Sequence, residues 1–159
     1  MINSNLMLYA RVFKKKKLDM KSKQVLSIDQ MKHLRELGLD TSDASMYWEF
    51  LPTVESFSNG VLVLEERPTL FVSKPNMKHE YPAYTLQDIL DKLPRSLNPF
   101  PSKQILFSWT IEGKIISYRN IEGMGGVCLK HFTDDLLIDA AYEMLCWCIE
   151  NGYILKEGE

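Results

Sequence analysis

The chain has 159 residues, 45% of them apolar and 25% charged, with three cysteines. That length suits one domain, and that composition excludes a wholly disordered chain, a collagen-like repeat and a disulfide-stapled scaffold. No uninterrupted apolar stretch reaches the roughly 18 residues of a spanning helix. The apolar N-terminal stretch precedes its lysines, the reverse of a secretory signal, so the reading is a cytoplasmic protein with reduced thiols and no membrane.

The net charge of −2 hides an asymmetry. Residues 1–23 carry Arg11, Lys14 to Lys17, Lys21 and Lys23 against Asp19 alone, whereas the remainder has 12 basic and 20 acidic residues. A nucleic-acid binder concentrates positive charge on its folded face; here the body is acidic, which disfavours nucleic acid as a partner. Residues 1–23 are expected to be a basic, flexible extension, residues 24–155 one domain, and residues 156–159 a tail. Met20 opens a plausible start of its own, so residues 1–19 read as an upstream extension with little role in folding.

Three helices are expected, in chain order. Ser27 and Gln30 have capping-box spacing, Leu26 and Met31 stand at the staple positions, and Gly38 suits the left-handed stop after Leu37. Thr85 and Asp88 repeat the pattern with Tyr84 and Ile89 as the staple, and Pro94 ends the helix. Thr133 opens the third and longest helix, to about Asn151, with Asp134 and Asp135 in its first turn. On it Asp139, Glu143, Cys146 and Glu150 share an arc of about 60°. Nearly everything else is apolar, so this helix is expected at the centre of the core, with Cys146 reactive on the polar arc and Cys148 protected.

Between the helices, strands are expected at Ala44 to Leu51, Val61 to Glu65 and Thr69 to Ser73, with turns at Asn59-Gly60 and Glu66-Arg67-Pro68. Residues 74–83 and 94–103 read as proline-containing loops. Ile105 to Arg119 reads as a hairpin turning at Glu112-Gly113, which would oppose Trp109 to Ile116 and Phe107 to Tyr118. The fold class is α+β: a mainly antiparallel sheet of about five strands with three helices.

Little assembled chemistry is visible. The stretch from Glu122 to Val127, with Gly123, Gly125 and Gly126, lacks the Lys-Ser/Thr pair and the following helix of a phosphate loop. With Arg119 and His131 nearby, it is still the strongest ligand-binding candidate, for a small molecule or anion. Cys128 and His131 with Cys146 and Cys148 form no zinc set, because the last two lie about 200° apart on one helix. No metal, cofactor or catalytic residue is assigned, and His33 and His79 read as surface residues.

Three stretches share a resemblance: Gln30 to Ser42 with Ala44 to Trp48, then Pro82 to Leu90, then Asp139 to Tyr153. They resemble small uncharacterised proteins of prophages and conjugative elements of gut Bacteroidetes, over about residues 24–155 and most strongly in the last helix. The resemblance implies a mobile-element accessory protein and carries no activity or catalytic residue with it.

The leading expectation is a non-enzymatic module that contacts another protein or a second copy of itself. Leu136 and Trp147 flank the polar arc of the last helix on one side, and Tyr142 and Ile149 approach it from the other, an apolar surplus suited to a contact surface. The alternative is the small-molecule or anion-binding domain, possibly enzymatic, built on the Gly123–Gly126 loop. Binding of nucleic acid through Lys14 to Lys17 is the weakest of the three readings.

Overall fold

Two of the three helices begin as their capping residues dictate. In α1 (Ile28–Glu36), Ser27 Oγ accepts from the Gln30 N–H at 3.2 Å and Gln30 Oε1 accepts from the Ser27 N–H at 3.1 Å. In α2 (Leu86–Lys92), Thr85 Oγ1 accepts from the Asp88 N–H and Asp88 Oδ2 from the Thr85 N–H. Both staples, Leu26 with Met31 and Tyr84 with Ile89, are fully buried. Gly38, at φ 93°, ends α1 in the left-handed conformation its sequence position calls for.

The structure, a computed structural model, describes residues 23–58, 61–74, 78–103, 105–120 and 126–155, with 53–58 and 61–65 described as backbone. The extension before Lys23, the Asn59-Gly60 turn, Gly123, Gly125 and the tail from residue 156 lie outside these residues.

The architecture is α+β, with two antiparallel sheets. One joins β1 (Met46–Ser58), β2 (Val61–Val72) and the two-residue β3 (Pro82–Ala83) in the order β2-β1-β3. The other runs β4-β5-β6-β7, from β4 (Ser96–Phe100), β5 (Ile105–Glu112), β6 (Ile115–Arg119) and β7 (Cys128–Thr133). The last helix, α3 (Leu137–Glu150), packs on β6, β7 and α2. Nine of its fourteen residues are buried, which is why its sequence is apolar around most of its circumference.

Several expected boundaries move, each for a physical reason. Thr133 does not cap α3: it ends β7, opposite Ile115, and the helix begins four residues later behind Leu136, without a side-chain cap. Residues 66–68 do not turn. Glu66, Arg67 and Pro68 pair with Pro52, Leu51 and Phe50, because β2 is an edge strand and an edge tolerates the donor that proline lacks. The β5–β6 turn is Gly113-Lys114, not Glu112-Gly113. Gly113 takes φ 62°, a conformation that a primed turn requires and Glu112 would adopt only with strain. Trp109 therefore faces Tyr118, and Ile111 faces Ile116. The slide is two residues, so the apolar row stays on the inner face.

The polar arc of α3 faces solvent only in part, because α1 lies over the rest of it. Asp139 is ion-paired with Lys23 and accepts from Gln30 Nε2 at 2.8 Å. His33 Nδ1 and the Tyr142 hydroxyl share a hydrogen bond of 2.6 Å, and Cys146 Sγ lies 3.9 Å from the same nitrogen. Cys146 is consequently only 5% exposed, against the expectation of a reactive thiol. Glu143 and Glu150 keep the remainder of the arc in water.

Candidate functional site

The residues singled out in the sequence fall into three places. Arg119 and His131 do share a surface: Ser117 pairs with His131 across β6 and β7, and Arg119 lies two residues beyond Ser117 on the same face. The guanidinium, however, lies along the sheet. Its Nε donates to Ser117 Oγ at 3.1 Å and its Nη1 sits 3.7 Å from Glu112, next to the turn at the far end of β6 from the glycine stretch. Gly126 is exposed and its φ is not positive; a Cβ there would meet only the Asn120 carbonyl oxygen, at 3.4 Å. The segment is closed by Asn120 N–H donating to the Val127 carbonyl at 2.9 Å.

The α3 contact candidates are absorbed by this chain's own packing. Tyr142 is 8% exposed beneath His33, and Ile149 is 1% exposed in the core. Leu136 is half-buried against the same cluster. Trp147 keeps one edge in solvent, with its ring 5.3 Å from Tyr153 and 6.4 Å from Tyr118. Nothing in the helix's own pattern signals that α1 and the sheet would between them cover both margins.

The thiols are buried or isolated. Burial pushes Cys146 up to about 11 despite a hydrogen bond from Tyr142, and Glu143 and Glu150 add to the rise. Burial likewise pushes Cys148 to about 12, opposed by the Tyr118 hydroxyl. A nucleophilic cysteine needs the opposite, a depressed thiol beside a base. The contact between His33, Tyr142 and Cys146 is therefore a seam holding α1 to α3. Cys128 is exposed on β7. Among the described residues, no three His, Cys, Asp or Glu side chains converge as a metal set, and no helix is long and apolar enough to cross a membrane.

Two features stand out that sequence patterning had not weighted. One is the β1–β2 ribbon. Thirteen residues pair with twelve, about 40 Å of strand, yet β3 covers only Met46 and Tyr47 at the root. The register sets Met46, Trp48, Phe50, Pro52 and Val54 opposite Val72, Leu70, Pro68, Glu66 and Leu64, so one face is apolar at nine of these ten positions. Trp48 anchors the root by donating Nε1–H to the Leu26 carbonyl at 3.4 Å, and Tyr81 meets Phe50 edge-on.

The other feature is a pair of cavities at that root. One, of about 290 Å³, lies between the C-terminal end of α1, the turn 40–44 and the segment 78–82, with Leu39, Ala44 and Pro82 as apolar wall. A second, of about 510 Å³, is lined by Trp48, Phe50, Glu66 and Tyr81 among others. Lys78 and His79 line both. His79 is not the surface residue its sequence position suggested. Its ring stacks on Tyr47 with centroids 3.6 Å apart, and Tyr47 stacks in turn on Phe71. Comparison of the chain with protein-family models, with curated proteins and with solved structures finds no match.

Proposed function

We propose that this chain is a non-enzymatic protein–protein interaction module, an accessory protein of a mobile element, and that the β1–β2 ribbon rather than α3 is the surface it offers. One observation carries the reading: a long two-stranded ribbon, apolar along one face, which among the described residues pairs with a third strand only at its root. A two-stranded hairpin is marginal in water, and stability requires a further layer against its apolar face. The body supplies that layer near Trp48 and Phe50. Beyond them the partner supplies it.

The contact is made by the face rather than by strand addition. Pro52 and Pro68 each remove a backbone donor from the ribbon, and charged residues at 65–67 further discourage edge pairing. Glu49, Glu66 and Glu80 gather near the root, where they repel nucleic acid and favour a partner with a basic rim.

Site-specific photocrosslinking tests this. A photoreactive residue at Pro52, exposed on the apolar face, or at Leu64, placed on that face by the register, is expected to give one discrete adduct in cells expressing the full chain, and Glu143 on α3 none. The adduct's mass separates a second copy from a different protein. Adducts from Glu143 as readily as from the ribbon, or from neither, would overturn the reading.

A further inference from the structure

The smaller cavity at the ribbon's root has the chemistry of a ligand site. Its wall combines two cations with a buried ring nitrogen that has no hydrogen-bond partner among the described residues. Arg35, in the last turn of α1, and Lys78 both line it, and neither guanidinium nor ammonium has an ion-pair or hydrogen-bond partner among the described residues. Thr41 also lines it. That residue is 4% exposed and turns a hydroxyl-bearing side chain to the wall. His79 Nε2 is buried and has no hydrogen-bond partner among the described residues. Native proteins satisfy nearly all buried polar groups, so an orphaned nitrogen on a cavity wall calls for something to meet it.

We propose that this cavity binds a compact oxyanion, a carboxylate or phosphate borne by a small molecule. Arg35 offers a planar fork that suits such a group, and Lys78 adds a second positive charge. The Thr41 hydroxyl and an Nε2–H on His79 supply neutral donors from the floor. The cavity volume suits a ligand of a few heavy atoms. Two local negative features limit the charge it accepts. Asp40 stands on the same wall, its carboxylate accepting from the Ser42 N–H at 2.8 Å and the Ser42 hydroxyl at 2.9 Å. Two cations against one carboxylate leave a single positive surplus, which selects a singly charged head group. The negative end of the α1 dipole is also close, but the carbonyls of His33, Leu34 and Arg35 are already capped by the N–H groups of Leu37, Leu39 and Gly38.

The test titrates the full chain with sodium acetate, sodium benzoate and inorganic phosphate at constant ionic strength, following amide chemical shifts with chloride as the control. Saturable shifts at Arg35, Thr41, Ser42 and His79 are expected at millimolar probe. Arg35→Gln should weaken binding about tenfold, and His79→Phe, which keeps a ring against Tyr47, should weaken it while leaving the melting temperature nearly unchanged. Lys114→Gln, on the distant β5–β6 turn, should change nothing. Saturation by acetate and benzoate alone identifies a carboxylate site, and saturation by phosphate alone a phosphate site. Shifts that never saturate, that spread over the surface lysines, or that survive Arg35→Gln and His79→Phe unchanged would overturn the proposal.

Discussion

Native thiol labelling gives a direct reading of how α1 lies on α3. With its thiol raised to about 11, Cys146 holds about 300-fold less thiolate near neutral pH than an ordinary cysteine. The higher basicity of that thiolate returns about tenfold in intrinsic nucleophilicity, leaving a deficit of about 30-fold before access is considered. For Cys148, at about 12, the same reasoning gives a thiolate deficit of about 3,000-fold and a net deficit of about 100-fold. Both sulfurs are also buried, whereas Cys128 is exposed and serves as the internal standard. A disulfide reagent at pH 8, followed by peptide mass spectrometry, should therefore mark Cys128 first, Cys146 far more slowly and Cys148 only on unfolding. His33→Ala opens the seam above Cys146 without touching the opposite side of α3, so it should accelerate Cys146 and leave Cys148 protected. If Cys146 keeps pace with Cys128 in the unaltered chain, α1 does not cover the arc and the account of the α1–α3 seam fails.

The same thiols fix the alkaline behaviour. Unfolded chain loses thiol protons from about pH 8.5, whereas the folded protein holds them to about 11 and 12. The stabilisation is complete below about pH 8.5 and declines as pH rises towards the folded values; buried Tyr84 and Tyr118, also raised, extend the decline. Thermal midpoints measured across that range should fall, and less steeply in Cys148→Ala than in the parent. Leu34→Ala, in the fully buried face of α1, should cost about 2–5 kcal/mol by calorimetry, whereas Leu51→Ser on the ribbon should cost under about 1 kcal/mol. Thr85→Ala removes the α2 cap and should cost about 1–2 kcal/mol in denaturant titration. A chain starting at Met20 should melt like the full chain, but one starting at Ser27 should melt well below it. The second deletion removes buried Val25 and Leu26, each worth about 1.5–3 kcal/mol.

Local interactions were legible in the sequence and non-local ones were not. The Ser27 and Thr85 caps, the stop at Gly38 and the inner row of β5 and β6 depend on residues a few positions apart, and the pattern alone specifies them. Thr133 shows the limit. It has a good capping side chain before an acidic turn, but the segment from Cys128 is drawn into β6 from across the 120–127 loop, and sheet pairing outweighs the cap. Pro68 shows the same in reverse: it reads as a turn unless the strand is known to be an edge. The site residues follow this rule. Tyr142 and Ile149 looked surplus because amphipathicity counts a helix against one neighbouring layer, and α1 supplied a second. Arg35, Thr41 and His79 carried no motif, being brought together by a turn and a segment nearly 40 residues apart in sequence. A buried polar atom without a partner is visible only in three dimensions.

The cavity and the ribbon meet at one place, and that gives the root of the ribbon a particular role. His79 stacks on Tyr47 of β1, Tyr47 stacks on Phe71 of β2, and Lys78 borders both cavities. Elsewhere the root is held by the two-residue pairing with β3, the Trp48 N–H donating to the Tyr81 carbonyl at 2.8 Å, the edge contact of Tyr81 with Phe50 and the long hydrogen bond from Trp48 Nε1 to Leu26. An anion drawn between Arg35 and Lys78 would tie the segment 78–82 to α1, and through His79 would press on the first aromatic pair of the ribbon. Since α1 is fixed to α3 by Gln30 and His33, the ribbon's root would then be referred to the most deeply buried helix of the fold. A ligand bound there needs no contact with the distal ribbon to stiffen it; it has only to lower the freedom of the one segment on which the ribbon's base rests. The coupling is reciprocal, so a partner that orders the ribbon would tighten the anion by the same factor.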